Sequence, residues 1–284
     1  MIKNKARIIN LRIADYIIRV QFQQTEWVQK ANLLHRIINE YLHDFIAHNT
    51  HLKTDVHIKI GEISGIPFIT KNGKTYSEYF EKQNDSTYLV HYHISIFELI
   101  QLLHLIVIDL LGSDGFLLHA SGILIGQQAI LFIGQSGSGK TTVAKMLGKR
   151  ESIIADDCVA IKETKKGYCI YRIPWIEKGE NNMIIKNRPY EILHIFSLKK
   201  NRPFTIKHLT PSEALREVVV STWLAHGALK KPFIAIVDFC KQFDGFSELS
   251  WDLHNDKELL NGFRIFSNRC IIQNAHVETT TITH

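Results

Sequence analysis

The spacing of apolar positions divides the chain into segments of strand and helix period. "ARIINLRIADYIIRVQF" (6–22) carries β-branched residues at strand density. "TEWVQKANLLHRIINEYLHDFI" (25–46) sets Trp27, Ala31, Leu34, Ile37, Ile38 and Tyr41 near one helical face. In "DVHIKIGEI" the alternation of Val56, Ile58 and Ile60 predicts a half-buried strand, and two short β segments follow around "KNGK" and "KQNDS" before "TYLVHYHI". The most apolar stretch, "ISIFELIQLLHLIVIDLLG", is broken by Glu98, Gln101, His104 and Asp109, which predicts a buried helix and not a membrane span. Ser95 and Glu98 have the spacing of a capping box at its start, and Gly112 supplies its stop.

Beyond this helix, "GILI" and "AILFI" are apolar runs separated by "GQQ", a tight hairpin that leads directly into "GQSGSGKTT" (134–142). Val143, Ala144, Met146 and Leu147 then recur at helical spacing, and the apolar run "SIIA" ends in Asp156 and Asp157. "CVAIKETKKGYCIYRI" reads as a hairpin turning at "KKG", and "EILHIFSLKKNRPFTIKHL" as another turning at "KKNR". Thr210 as cap, Pro211 at the first position and Glu213 closing a capping box start a helix in "TPSEALREVVVSTWLA". A helical segment "PFIAIVDFCKQF", a strand "LSWDL" and a short helix near "DKELLNGF" complete a mixed α/β chain whose sheet contains antiparallel hairpins. With no proline-rich linker and no repeat, only a soft boundary near residue 93 is legible, separating an N-terminal α+β region (1–92) from the remainder (93–284).

Composition narrows the function classes. At 284 residues, 45% hydrophobic and 22% charged, the chain is neither disordered nor fibrous. The formal charge is +6, but the basic residues are dispersed and interleaved with acids, so no nucleic-acid partner is expected. Cys158, Cys169, Cys240 and Cys270 form no C-x-x-C pair, which fits a reducing cytoplasm and indicates neither zinc nor a disulfide framework. The N-terminus has no uninterrupted apolar region of the kind a signal peptide requires, and no membrane insertion is expected.

The chemistry concentrates at 134–142. Gly134, Gly139, Lys140 and Thr141 fill G-x-x-x-x-G-K-[ST]: the glycines let successive N–H groups face a phosphate, and the next helix presents its positive end. Lys140 is placed to reach the β- and γ-phosphates of ATP, and the Thr141 hydroxyl to ligate Mg²⁺, with Ser136, Gly137, Ser138 and Thr142 completing the cradle. Only sixteen positions separate Lys140 from Asp156, enough for one short helix and one strand, so Asp156 and Asp157 are expected beside the loop. Two carboxylates there can divide labour, one holding metal and the other accepting a proton from an attacking hydroxyl. Switch GTPases and many motor ATPases place their acid much further along the chain.

"LLHASGILIGQQAILFIGQSGSGKTTVAKMLGKRESIIADDCVAI" resembles the catalytic core of the HPr kinase/phosphorylase superfamily, in which a histidine, a hairpin, a glycine loop and a short crossover lead to an Ala-Asp-Asp strand end. "IFSLKKNRPFTIKHLTPSEALREVV" is similar to a segment of the shorter HPr kinase-related proteins. The resemblance implies a P-loop kinase core akin to ATP-dependent phosphoenolpyruvate carboxykinase over 93–284, acting on serine hydroxyls. It also implies His119 near the transferred phosphate, Asp156 as the group that positions or deprotonates the hydroxyl, and Asp157 supporting the metal. Two departures bear on the substrate: Thr141-Thr142 stand where HPr kinases continue Ser-Glu, and "YRIPWIEKGENN" stands in place of the Glu-Ile-Arg-Gly-type signature tied to phosphorolysis. The chain looks closer to the shorter kinases that modify ribosomally made peptides, lasso precursors among them.

The expectation is therefore a forward serine kinase with a peptide or protein acceptor. The alternatives are an HPr kinase/phosphorylase regulating sugar uptake, a small-molecule kinase, and a nucleotide-dependent binding or switch module. The resemblance also allows a homo-oligomer.

Overall fold

A computed structural model describes residues 7–23, 27–49, 52–63, 68–71, 74–77, 79–148, 152–165, 167–175, 186–223, 230–252 and 255–280. They form two compact units, the first built chiefly from the chain up to Leu110 with Ile173 and Arg188 joining it, the second from Leu111 onward. Both are mixed α/β, and among the described residues no helix is long and apolar enough to cross a membrane.

The first unit contains β1 (Ile8–Ile13), β2 (Tyr16–Phe22), α1 (Val28–Tyr41), β3 (Val56–Gly61), β4 (Phe68–Lys71), β5 (Lys74–Ser77), β6 (Phe80–Asn84), β7 (Thr87–His91) and α2 (Ile96–Leu111). Its main sheet runs β1-β2-β3-β7-β6, with β4 and β5 paired separately. The segment of strand density at 6–22 folds as a hairpin, because Ala14 and Asp15 turn the chain back at φ of 50° and 67°. Two left-handed residues suit the twist of a tight hairpin, but Ala-Asp is not the Asn-Gly signal that announces one. On α1, Leu34 and Ile38 are buried and His35 meets Phe22 edge-on, whereas Trp27 and Tyr41, at the limits of the expected face, are about half exposed.

The capping box of α2 is formed, the Ser95 N–H donating to Glu98 Oε2 at 2.8 Å and the Glu98 N–H to Ser95 Oγ at 3.2 Å. Its other end is tied down by the Tyr16 hydroxyl, which donates to the Leu110 carbonyl at 2.9 Å, and by Lys82, which donates to Asp109 at 3.0 Å. These contacts hold α2 in the first unit, so the units divide near residue 111, whereas the sequence reading set its soft boundary at 93. Buried His104 stacks on Trp175 and its Nε2 donates to the Pro174 carbonyl at 2.7 Å; burial pushes its pKa below the ordinary histidine value, which keeps the ring neutral.

The second unit contains β8 (Gly115–Leu118), β9 (Ser121–Ile125), β10 (Gln128–Ile133), α3 (Lys140–Gly148), β11 (Ser152–Ala155), β12 (Val159–Thr164), β13 (Gly167–Arg172), β14 (Tyr190–Lys200), β15 (Thr205–His208), α4 (Pro211–Ser221), α5 (Lys230–Gln242), β16 (Phe246–Trp251) and α6 (Asp256–Thr280). The sheet order is β11-β9-β10-β14-β13-β12-β8, with β16 beside β14 and β15 outside β16. The hairpins β9–β10 and β12–β13 are antiparallel as expected, and β8, for which no strand was expected, pairs with β12.

The hairpin expected from "EILHIFSLKKNRPFTIKHL" does not form. β14 lies parallel to β16, and β15 pairs antiparallel with the far side of β16. Burial explains the insertion: Phe246, Leu249 and Trp251 of β16 are buried, whereas every residue of β15 is exposed, so the apolar strand takes the inner position and the polar one the edge. α6 is also longer than the short helix expected, seating Leu259 and Phe263 in its first turns and continuing past the apolar pattern that announced it.

Helices cover both faces of this sheet, which is why β10 reads as a continuous apolar run. Ala129, Leu131 and Ile133 pack with Ala214 and Val218 of α4 and Ile236 and Phe239 of α5. Ile130 and Phe132 pack with Val143 and Leu147 of α3 and Phe263 of α6. Phe132 is fully buried and lies within 6.2 Å of the rings of Phe196 and Phe263. Phe132→Ala is expected to cost about 3–5 kcal/mol, read as a drop in the denaturant midpoint of unfolding.

Candidate functional site

β10 ends at Ile133, and the glycine loop turns it into α3, which begins at Lys140. Gly134, Gly137 and Gly139 have φ of 142°, 81° and 93°. The requirement is double at Gly139, where a Cβ would also stand 2.4 Å from Cζ2 of Trp251, the fully buried last residue of β16. Gly139→Ala is expected to displace the indole or reshape the loop, seen as an altered near-ultraviolet tryptophan signal.

Lys140 is only 7% exposed, and its Nζ donates to the carbonyls of Gly134 at 2.9 Å and Gln135 at 3.3 Å. Burial lowers its pKa from the ordinary lysine value, and the charge of Asp157 partly opposes that shift. Ser138 Oγ is buried in the same loop with no hydrogen-bond partner among the described residues. A buried ammonium held only by carbonyls, together with an unpartnered hydroxyl, suits a loop that closes on an anion.

β11 and β10 point the same way, because each is antiparallel to β9 between them. The turn after β11 therefore emerges at the edge of the sheet where the loop lies, and this brings Asp157 to it. The backbone of this turn is pinned to the bend between β8 and β9: the Ala120 N–H donates to the Asp157 carbonyl at 3.1 Å, and the Ser121 hydroxyl to the Asp156 carbonyl at 2.8 Å. His119 occupies that bend, fixed by its N–H donating to the Ser221 carbonyl of α4 at 2.7 Å. Its ring Nδ1 lies 3.0 Å from Asp157 Oδ1. The imidazole and the carboxylate therefore stand side by side at the mouth of the turn.

A cleft of about 390 Å³ joins these parts, with Ser136, Gly137, Gly139, Lys140, Thr141 and Thr142 on the loop side, and His119, Asp157 and Lys200 around them. Gly134 and Ser138 do not line it and shape the loop from within. Asp156 does not line it either: its Oδ2 lies 3.8 Å from Lys145 Nζ on α3, and its Oδ1 is buried with no hydrogen-bond partner among the described residues. Of the two adjacent carboxylates, Asp157 is the one that reaches the cleft.

Sequence reasoning did not single out Lys200 or Trp251. Lys200 was visible only as part of the basic run "KKNRP", and nothing in the sequence places Trp251 beneath Gly139.

Among the described residues no group of three or more His, Cys, Asp or Glu could cage a metal. The donors present fit Mg²⁺ nonetheless, since this ion keeps several waters and commonly takes one or two protein oxygens plus those of phosphate. The Thr141 hydroxyl and the Asp157 carboxylate are among the protein oxygens lining the cleft that could serve.

No curated relative matches the chain. Among solved structures, the Hpr(Ser) kinase/phosphatase from Coxiella burnetii is similar over 55% of this chain and 98% of that chain, at 13% identity and a TM-score of 0.31. Residues 87–231, just over half of the chain, match the family described as SynChlorMet cassette protein ScmC. That stretch contains His119, the glycine loop, Asp157 and Lys200, and by this match the chain belongs to the SynChlorMet cassette protein ScmC family.

Proposed function

We propose that this protein is an ATP- and Mg²⁺-dependent kinase that transfers the γ-phosphate to a serine hydroxyl of a peptide or protein acceptor. The observation that carries the reading is the shared cleft: a glycine loop with a buried lysine on one side, and an imidazole–carboxylate pair 3.0 Å apart on the other.

The loop amides and Lys140 bind the phosphate chain, and the positive end of α3 favours its charge. The Thr141 hydroxyl would hold Mg²⁺, which when bound would neutralise phosphate charge. The proton-accepting role falls to Asp157, since Asp156 turns to Lys145. The serine oxygen bonds to the γ-phosphorus as its proton passes to Asp157, the bond to the β–γ bridging oxygen breaks, and ADP leaves. His119 lines the cleft beside Asp157, its Nδ1 3.0 Å from Oδ1, where it can position that carboxylate.

Serine and a peptide acceptor rest on the resemblance of "LLHASG…IADDCVAI" to HPr kinase-like sequences. A mobile segment also meets most easily the requirement that the hydroxyl approach to about 3–3.5 Å in line with the leaving oxygen. The Thr141-Thr142 loop and the absent phosphorolytic signature favour forward transfer only.

Formation of ADP from ATP, measured with and without a panel of serine peptides, folded HPr and small alcohols, tests the reading. Turnover that depends on a serine peptide supports it. Equal ADP formation with or without any acceptor would instead favour a nucleotide-driven switch.

A further inference from the structure

We propose that Lys200 is a second phosphate-binding cation of the cleft, gripping the nucleotide from the flank opposite the His119–Asp157 pair. This rests on the nucleotide reading above.

Successive residues at the end of β14 face opposite sides of the sheet. Ile195 packs in the core shared with α4 and α5, and Ser197 and Lys199 follow on that side, both donating to Glu217 Oε2 of α4, at 2.7 and 3.1 Å. Phe196 and Leu198 pack on the side of α3 and α6, and Lys200 continues that row into the cleft. Two adjacent lysines therefore have different fates. Lys199 is held by a buried carboxylate that also takes Arg216, while Lys200 makes no ion pair among the described residues.

Sheet order sets which flank each group occupies. β14 adjoins β10 on one side, and β9 with β11 beyond it lies on the other. Asp157 after β11 and His119 before β9 thus reach the loop from one flank, and Lys200 from the other. β14 outruns β10 by three residues past the pair Ile133↔Ser197, which carries Lys200 alongside the loop that leaves Ile133. The pairing of Lys200 with Trp251, whose indole underlies Gly139, fixes the strand end in place.

Charge gives the position its purpose. A triphosphate brings several negative charges next to Asp157, and within the loop Lys140 is the lone cation. A further cation on the far flank offsets both the phosphate chain and its repulsion from Asp157. The need grows with the number of phosphates, so ATP should depend on Lys200 more than ADP does.

The test uses the full chain and its Lys200→Gln and Lys200→Arg variants, titrated calorimetrically with ATP·Mg²⁺ and ADP·Mg²⁺ and melted thermally without nucleotide. Lys200→Gln is expected to weaken ATP about tenfold, as loss of one charged hydrogen bond does, and ADP less. Lys200→Arg should restore most of the ATP affinity, with melting temperatures unchanged. Retained ATP affinity in Lys200→Gln, an equal loss in both variants, or an effect confined to acceptor KM would overturn the assignment. If the wild-type chain binds neither nucleotide, the loop reading itself fails and the inference falls with it.

Discussion

Replacing Lys140 with methionine should abolish nucleotide binding, weakening ATP at least a hundredfold, while leaving the fold as stable as before or more so. Among the described residues the buried ammonium has two carbonyl partners and no carboxylate bonded to it, so without a ligand it is a charge kept out of water for little return. A methionine keeps the apolar stem and removes the charge, a change that is often neutral or stabilising when a buried ion lacks a good partner. The pH dependence follows from the same cause. Burial sets the folded pKa of Lys140 below its unfolded value, so the chain gains stability as pH rises through that lowered value toward the ordinary one. Lys140→Met should lose this increment. Calorimetric titration with ATP·Mg²⁺ beside denaturant melts at neutral and alkaline pH checks both halves. Wild-type affinity in the variant would remove the loop from the account.

The second large effect separates the adjacent carboxylates. Asp157→Asn should lower turnover about 10²–10⁴-fold, the usual contribution of a positioned general base, while ATP·Mg²⁺ still binds. Asp156→Asn should retain turnover of the wild-type order, because its side chain lies against Lys145 and the bond that fixes the turn uses its backbone carbonyl. Acceptor-dependent rates of the two variants at saturating ATP decide the matter. The reverse ranking would return the base to Asp156.

The local motifs were legible in the sequence because each is written in adjacent residues. The β9–β10 hairpin, the glycine loop, the α2 and α4 capping boxes and the short crossover to β11 all depend on short spacings. Long-range pairing was not legible. β16 enters between β14 and β15 because of a burial contrast between strands that α4 and α5 separate in the chain, and no turn residue records it. The same limit governs the site. The sequence placed an acidic pair beside the loop, but spacing alone does not say which of two adjacent residues after a strand lines the cleft, and it is Asp157 that does. Lys200 was hidden for the matching reason: only the alternation of β14 in its sheet separates it from Lys199.

The central claim is that this cleft moves a phosphoryl group from ATP to a serine. The most direct measurement is a single incubation of the full chain with γ-labelled ATP, Mg²⁺ and a serine-containing peptide library, followed by mapping of the label by mass spectrometry. Label is expected on a serine side chain, in amounts matching the ADP formed, and about 10²–10⁴-fold less in the same time with the Asp157→Asn variant. Label recovered only as inorganic phosphate, at the same rate with or without peptide, would contradict it.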